Sequence, residues 1–230
     1  MTHDERFPRH IISDVLWTMT EALAPRSLRP VSVWKLAFVG SYRRGSADCG
    51  DADLLVLPVP GHERDIRSAI LGLASEIVFD GSSMLYVIIP MNGMSVPAQV
   101  FIAGQDAWGS ALQYTTGSRE HNLAVRKWAK DRGLSANQYG VFRRDVRRSK
   151  LPGSSETESG FYRSLGLRWV RPEMRIRRTA GSTGIFPLHP NGNPEPACTQ
   201  GDGREPQDRP SGASQPAHGS DDVPDRRASR

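Results

Sequence analysis

The chain is poor in the groups that staple or anchor a protein. Its 230 residues include two cysteines, Cys49 and Cys198, too few for a disulfide framework or a cysteine-built zinc site. No apolar run approaches the roughly 20 residues that a membrane-spanning helix needs, and nothing at the start reads as a secretory signal. A cytoplasmic protein with no membrane partner is expected, in the host cytoplasm if the source is viral. Lysine is also scarce: of 30 basic residues only Lys35, Lys127, Lys130 and Lys150 are lysines. Arginine pairs planar phosphates bidentately, which suits nucleic acid; a biased genome composition would give the same pattern. The net charge of +5 and pI near 9.5 fit a polyanionic partner without requiring one.

Hydrophobic residues make up only 37%, against 22 glycines and 17 prolines, so part of the chain is expected not to pack. That part starts at Thr179, beyond which Gly, Pro, Ser, Asp and Arg dominate. Such a segment cannot bury enough surface to offset its chain entropy, and residues 179–230 read as a disordered tail without a motif.

What is present is concentrated between Gly40 and Leu55. A Gly40-Ser41 pair is followed by Arg43 and Arg44, a polar turn ends in Gly50, and Asp51-Ala52-Asp53 opens the apolar run Leu54-Leu55-Val56-Leu57. On a strand, residues two apart share a face, so Asp51 and Asp53 form a carboxylate pair aimed at one point. Such a pair repels unless a cation sits with it. Mg²⁺ fits, because it takes one or two carboxylates and completes its shell with water and phosphate. The Gly-Ser turn and an arginine then suit the phosphates. The plain alternative is an acidic turn before a strand.

Around this stretch, apolar spacing predicts a packing helix over 7–23 and a strand over 33–39. The unbroken apolar end of that strand suggests a central position. A strand over 51–57, a helix over 63–77, and strands at 84–89 and 96–103 joined by the Asn92-Gly93 turn complete a mixed sheet. Asp106 is expected to cap a helix through Leu112, Ser118 a second helix with His121 at its surface, and Ser155 to Glu158 to form a capping box before Phe161. Arg143, Arg144, Arg147 and Arg148 read as a solvated basic loop or a phosphate contact.

The Gly-Ser-Tyr-Arg-Arg-Gly stretch, followed by Gly50-Asp51-Ala52-Asp53, resembles the nucleotidyltransferase signature of the X-family (polymerase beta-like) DNA polymerases. Tyr114-Thr115-Thr116-Gly117-Ser118 resembles that family's aromatic-aromatic-Thr-Gly-Ser segment, with Thr115 in place of the second aromatic. Asn122 and Arg126, four residues apart on one helix face, match positions that touch the minor-groove edges of the incoming base and the template. Leu165-Gly166-Leu167, Trp169, Arg171-Pro172-Glu173 and Arg175 resemble the closing segment. The resemblance covers roughly residues 8–178. It implies a compact palm-plus-thumb form, without the amino-terminal lyase and fingers modules of longer relatives.

The fold so implied is α+β: a nucleotidyltransferase-type palm with a mixed sheet over residues 1–105, a small α/β thumb over 106–178 and the disordered tail over 179–230. The activity implied is DNA-directed addition of dNMP to a DNA 3′-end, in gap-filling repair. Asp51 and Asp53 would hold Mg²⁺, with Mn²⁺ as a substitute. Gly40, Ser41, Arg44, Gly50, Tyr114, Gly117 and Asn122 would bind the dNTP, and Arg126 the DNA, gapped or primer-template duplex, with the protein a monomer. The third catalytic carboxylate of the family falls at Gln99, which can neither balance a second metal ion nor take a proton from a 3′-hydroxyl. The alternative is therefore a relative that binds nucleotide and DNA with impaired catalysis.

Overall fold

The computed structural model describes residues 5–24, 32–175 and 185. Its elements in chain order are β1 (Phe7–Pro8), α1 (Arg9–Leu23), β2 (Val33–Phe38), α2 (Gly40–Arg43), β3 (Asp48–Cys49), β4 (Ala52–Pro58), α3 (Glu63–Leu71), β5 (Glu76–Asp80), β6 (Met84–Met91) and β7 (Met94–Ile102). These are followed by α4 (Trp108–Thr116), α5 (Arg119–Lys130), β8 (Leu134–Asn137), β9 (Gly140–Arg143), α6 (Glu158–Ser164) and a 3₁₀ turn at Pro172–Arg175.

Five strands form one mixed sheet in the order β2-β4-β7-β6-β5. Only the β4–β7 pair is parallel. β4 is buried from end to end, and its period of two separates two cores. Leu54 and Val56 face α1 and α3 together with Ile12, Leu16, Ile66 and Ile70. Leu55 and Leu57 face α4 together with Trp108, Ala111 and Leu112. By the same alternation Asp53 lies on the α4 side. α1 needs no polar cap: Pro8 stands at its N-cap, and Ile11, Ile12, Val15, Leu16, Met19 and Leu23 make its buried face. The Asn92-Gly93 turn joins β6 and β7 with both residues at positive φ, as a two-residue hairpin turn requires.

A third core gathers Val125, Ala129, Ala136, Val141, Phe161, Tyr162, Leu165 and Leu167 from α5, the β8–β9 hairpin, α6 and the segment after it. α4 belongs to both regions, packing on β4 on one side and on α6 on the other. The protein is thus an α+β palm with a mixed sheet plus a small thumb.

Several expectations change. β2 is an edge strand, with Trp34 and Lys35 exposed; its apolar end, Leu36 to Phe38, is only half-buried. The helix expected over 63–77 stops at Leu71, and Glu76–Asp80 forms the other edge strand. Ile77-Val78-Phe79 is β-branched and aromatic and fits a pleated surface better than a helix. β6 runs through Pro90 to the hairpin instead of ending there. Asp106 does not cap α4: Ala107 stands at the N-cap, and Asp106 instead pairs with Lys150 Nζ at 2.8 Å. The tail expected over 179–230 lies outside the described residues apart from Ile185, which packs against the thumb core.

Because Leu55 bridges β4 and α4, Leu55→Ala should destabilise the protein by about 2–5 kcal/mol. Chemical denaturation followed by circular dichroism checks this.

Candidate active site

α2 follows β2 directly, and β4 runs beside β2, so the Gly40 turn abuts the first residues of β4. Gly40 has φ +58, and a Cβ there would lie 1.7 Å from Asp53 Oδ2. Only glycine lets the turn approach the carboxylate this closely. Ser41 Oγ is buried beside the Cys49 thiol, whose pKa burial raises and a hydrogen bond with Ser41 lowers. Gly50 precedes Asp51 with open space where a Cβ would stand.

Asp53 is buried, and its carboxyl holds its proton well above the ordinary carboxylate range. Burial is the main cause, the charge of Asp51 and a hydrogen bond with it add to the effect, and Arg44 opposes it. Burial in turn lowers the Arg44 guanidinium from its ordinary value, against the pull of Asp53 and Asp51. Gln99 lies opposite Asp53 in the β4–β7 register, and its Nε2 donates to Asp51 Oδ2 at 2.7 Å. Asp51, Asp53 and Gln99 therefore converge.

This donor set fits one hard divalent cation. Two adjacent carboxylates, one with its pKa pushed up by burial and by its neighbour's charge, suit an ion that takes its remaining ligands from water and phosphate. It does not fit two ions, because the third side chain is a neutral amide turned donor-first to Asp51. Among the described residues no group of three or more His, Cys, Asp or Glu could hold a metal.

The two arginines of the turn diverge. Arg44 Nη1 donates to the Thr116 carbonyl at 2.6 Å and lies 3.3 Å from where a Cβ of Gly117 would stand. Gly117 itself has φ +65 and precedes a cis peptide bond to Ser118. Arg43 is not available to phosphates. It holds both oxygens of Glu158, at 2.9 and 3.0 Å, and donates to Thr116 Oγ1 at 2.6 Å.

Glu158 also pairs with Arg175 at 2.8 Å and accepts from Trp169 Nε1 at 3.0 Å. Burial would raise its pKa, but Arg175 and Arg43 outweigh that and hold it at about 2. The local motif missed this role. The box expected from Ser155 to Glu158 does not form, because Thr157 caps α6 through Gly160 N and Glu158 turns inward to the arginines. The signal that was available is the doubled arginine after Gly-Ser: one guanidinium serves the site and the other braces it.

On the thumb side, Ser118 Oγ caps α5 as expected, accepting from His121 N. His121 is buried, not at the surface: it falls on the Val125–Ala129 face, and its Nε2 bonds to Tyr162 OH at 2.7 Å. Burial, with Arg175 adding, lowers its pKa from 6.5 to about 3. Asn122 is half-buried, accepting from Gln113 Nε2 at 2.9 Å and donating to the Tyr114 carbonyl at 2.8 Å. Arg126 is exposed, its guanidinium 5.1 Å from the centroid of the Tyr114 ring. Tyr114, Asn122 and Arg126 thus form one group at the start of α5.

A mixed sheet carrying a carboxylate pair beside a Gly-Ser turn, with the thumb braced onto that turn, defines a palm-and-thumb protein. The domain families described as DNA polymerase beta palm and DNA polymerase beta thumb match residues 6–79 and 111–176. The chain belongs to the X-family of polymerase beta-like proteins. It is 26% identical over 143 residues to the DNA polymerase/3′-5′ exonuclease PolX of Bacillus subtilis (strain 168), covering 61% of this chain and 24% of that protein. It is 27% identical over 160 residues to DNA polymerase lambda of Rattus norvegicus, covering 59% of this chain and 28% of that one. The chain thus spans about a quarter of the length of these relatives. No helix among the described residues is long and apolar enough to cross a membrane.

The buried pair of His121 and Glu158 predicts acid sensitivity. Below pH 6.5 the unfolded chain gains a proton on His121 that the folded chain refuses until about 3, so stability falls as pH drops through that window. Glu158 adds a second loss between 4.5 and about 2. At about 1.4 kcal/mol per unit, the His121 leg is worth a few kcal/mol. His121→Gln should flatten the thermal midpoint between pH 6.5 and 4.5 and leave the lower leg intact, as differential scanning calorimetry would read.

Proposed function

We propose that this chain is a DNA nucleotidyltransferase that adds dNMP to a DNA 3′-end, as in gap filling, acting as a cytoplasmic monomer with Mg²⁺ or Mn²⁺. The observation that carries the reading is the Asp51–Asp53 pair set against Gly40. When bound, the ion would neutralise the two carboxylates and the triphosphate and stabilise charge on the leaving phosphates.

The chain's own residues supply the rest. Arg44 brings a positive charge to the end of the Gly40-Ser41 turn, where it suits a phosphate oxygen. Gly50 leaves room beside Asp51. Tyr114 and Gly117 form the wall against which the sugar would lie. Arg126 and Asn122, above that wall, are suited to the acceptors in a minor groove.

A second reading, a nucleotide- and DNA-binding relative with impaired catalysis, is favoured by one contact. The Gln99 amide hydrogen-bonds to Asp51 where a carboxylate would serve the attacking hydroxyl. A neutral amide accepts no proton from a 3′-hydroxyl. Binding should therefore survive while chemistry is slow.

Two measurements test this. dNTP affinity, followed by titration calorimetry, should require divalent metal, and Asp53→Ala should remove that requirement; equal affinity in the presence of chelator would sink the site. Primer extension on gapped DNA with Mg²⁺ and with Mn²⁺ should be slow. Gln99→Asp should accelerate it at saturating dNTP by about 10²–10⁴-fold, the scale of a lost acid–base group, with little change in binding. An ordinary rate in the native chain, unchanged by the substitution, would show that Gln99 does not limit the chemistry.

A further inference from the structure

Leaving β9, the chain makes a tight turn over Arg143, Arg144, Asp145, Val146, Arg147 and Arg148, all exposed. Four guanidinium groups stand within six residues, and Asp145 is the single acid among them. Asp145 is occupied in shaping the turn: its Oδ1 accepts from Arg148 N at 2.9 Å, and Arg148 takes φ +46, unusual for a residue with a side chain. Arg143 N to Ser149 O and Arg144 N to Gly133 O close the base of the turn, and Lys150 is tied to Asp106. Among the described residues, none of the four arginine side chains has an ion-pair or hydrogen-bond partner. Val146, at the apex between the two arginine pairs, is fully exposed.

A built turn that gathers uncompensated like charges raises its own electrostatic energy until a polyanion lies on it. The Arg144–Gly133 bond fastens the turn to the C-terminal end of α5, the helix that carries exposed Arg126 and Lys130, with Lys127 paired to Asp131 at 3.4 Å. The thumb's basic surface therefore continues past Arg126. Planar guanidinium groups match phosphate oxygens bidentately. An apolar apex flanked by arginines fits a nucleic-acid groove, with the side chain against sugar and base edges and the cations reaching the phosphates on either side.

We propose that the turn at residues 143–148 is a phosphate grip, a second point at which the thumb holds the backbone of duplex DNA, beyond the contact assigned to Arg126. The inference rests on the DNA-binding reading above, and the experiment separates the two. Binding of a blunt 20-base-pair duplex, without dNTP or metal, is measured by fluorescence anisotropy between 50 and 200 mM salt. Against the native chain, R143Q/R144Q/R147Q/R148Q should lower the magnitude of the salt slope by about three. The loss of affinity across that salt range then becomes about sixty-fold smaller. dNTP affinity should not change.

If the melting temperature shows that the quadruple variant is not folded, R147Q/R148Q replaces it, with a slope change of about two. A folded variant with the native slope overturns the grip and leaves the polymerase reading standing. A native chain that binds no duplex at 50 mM salt overturns both. Polyglutamate competing as well as DNA per unit charge overturns the assignment to nucleic acid.

Discussion

Glu158 has no exposed side-chain surface, yet it is charged, and the rest of the arrangement depends on how that charge is satisfied. Arg175 reaches it from the end of the thumb and Arg43 from the palm turn, with Trp169 adding an indole N–H. A buried pair of this kind adds little net stability, but removing one partner strands a charge and costs about 3–5 kcal/mol. Its value is positional. Arg43 lies three residues beyond Gly40, so the thumb's carboxylate fixes the turn that faces Asp53. Arg44, the next residue, then reaches the Thr116 carbonyl, and the backbone before Gly117 is braced from the same side.

The acidic pair is the opposite case, a charge arrangement left incomplete inside the protein. Glu158 meets two arginines that hold its pKa down, whereas burial and then the charge of Asp51 push that of Asp53 up. The two buried carboxylates are thus shifted in opposite directions by their surroundings. Gln99 completes the description. Its amide satisfies one oxygen of Asp51.

Positive charge follows a similar division. Arg6, Arg67 and Lys150 pair with acids on their own surface, Arg43 and Arg175 are consumed by Glu158, and Arg9 and Arg132 lie over aromatic rings. The arginines after β9 do none of these things. A net charge of +5 is modest, so its placement along the thumb matters more than its size.

Read alone, the sequence located β4, the hairpin turn at Asn92-Gly93, the cap at Ser118 and the convergence of Asp51 with Asp53. Each depends on neighbours a few residues away: a period of two, a two-residue turn, a side chain bonding to the next helical turn. It failed where the deciding partner is distant. His121 reads as a surface residue until Tyr162 is beside it. Glu158 reads as a cap until Arg43, 115 residues earlier, closes on it. The apolar end of β2 reads as a central strand until the strand order puts it at the edge. Local periodicity selects elements, but which face is buried and which charge is compensated follow from long-range packing, and only the tertiary structure decides those.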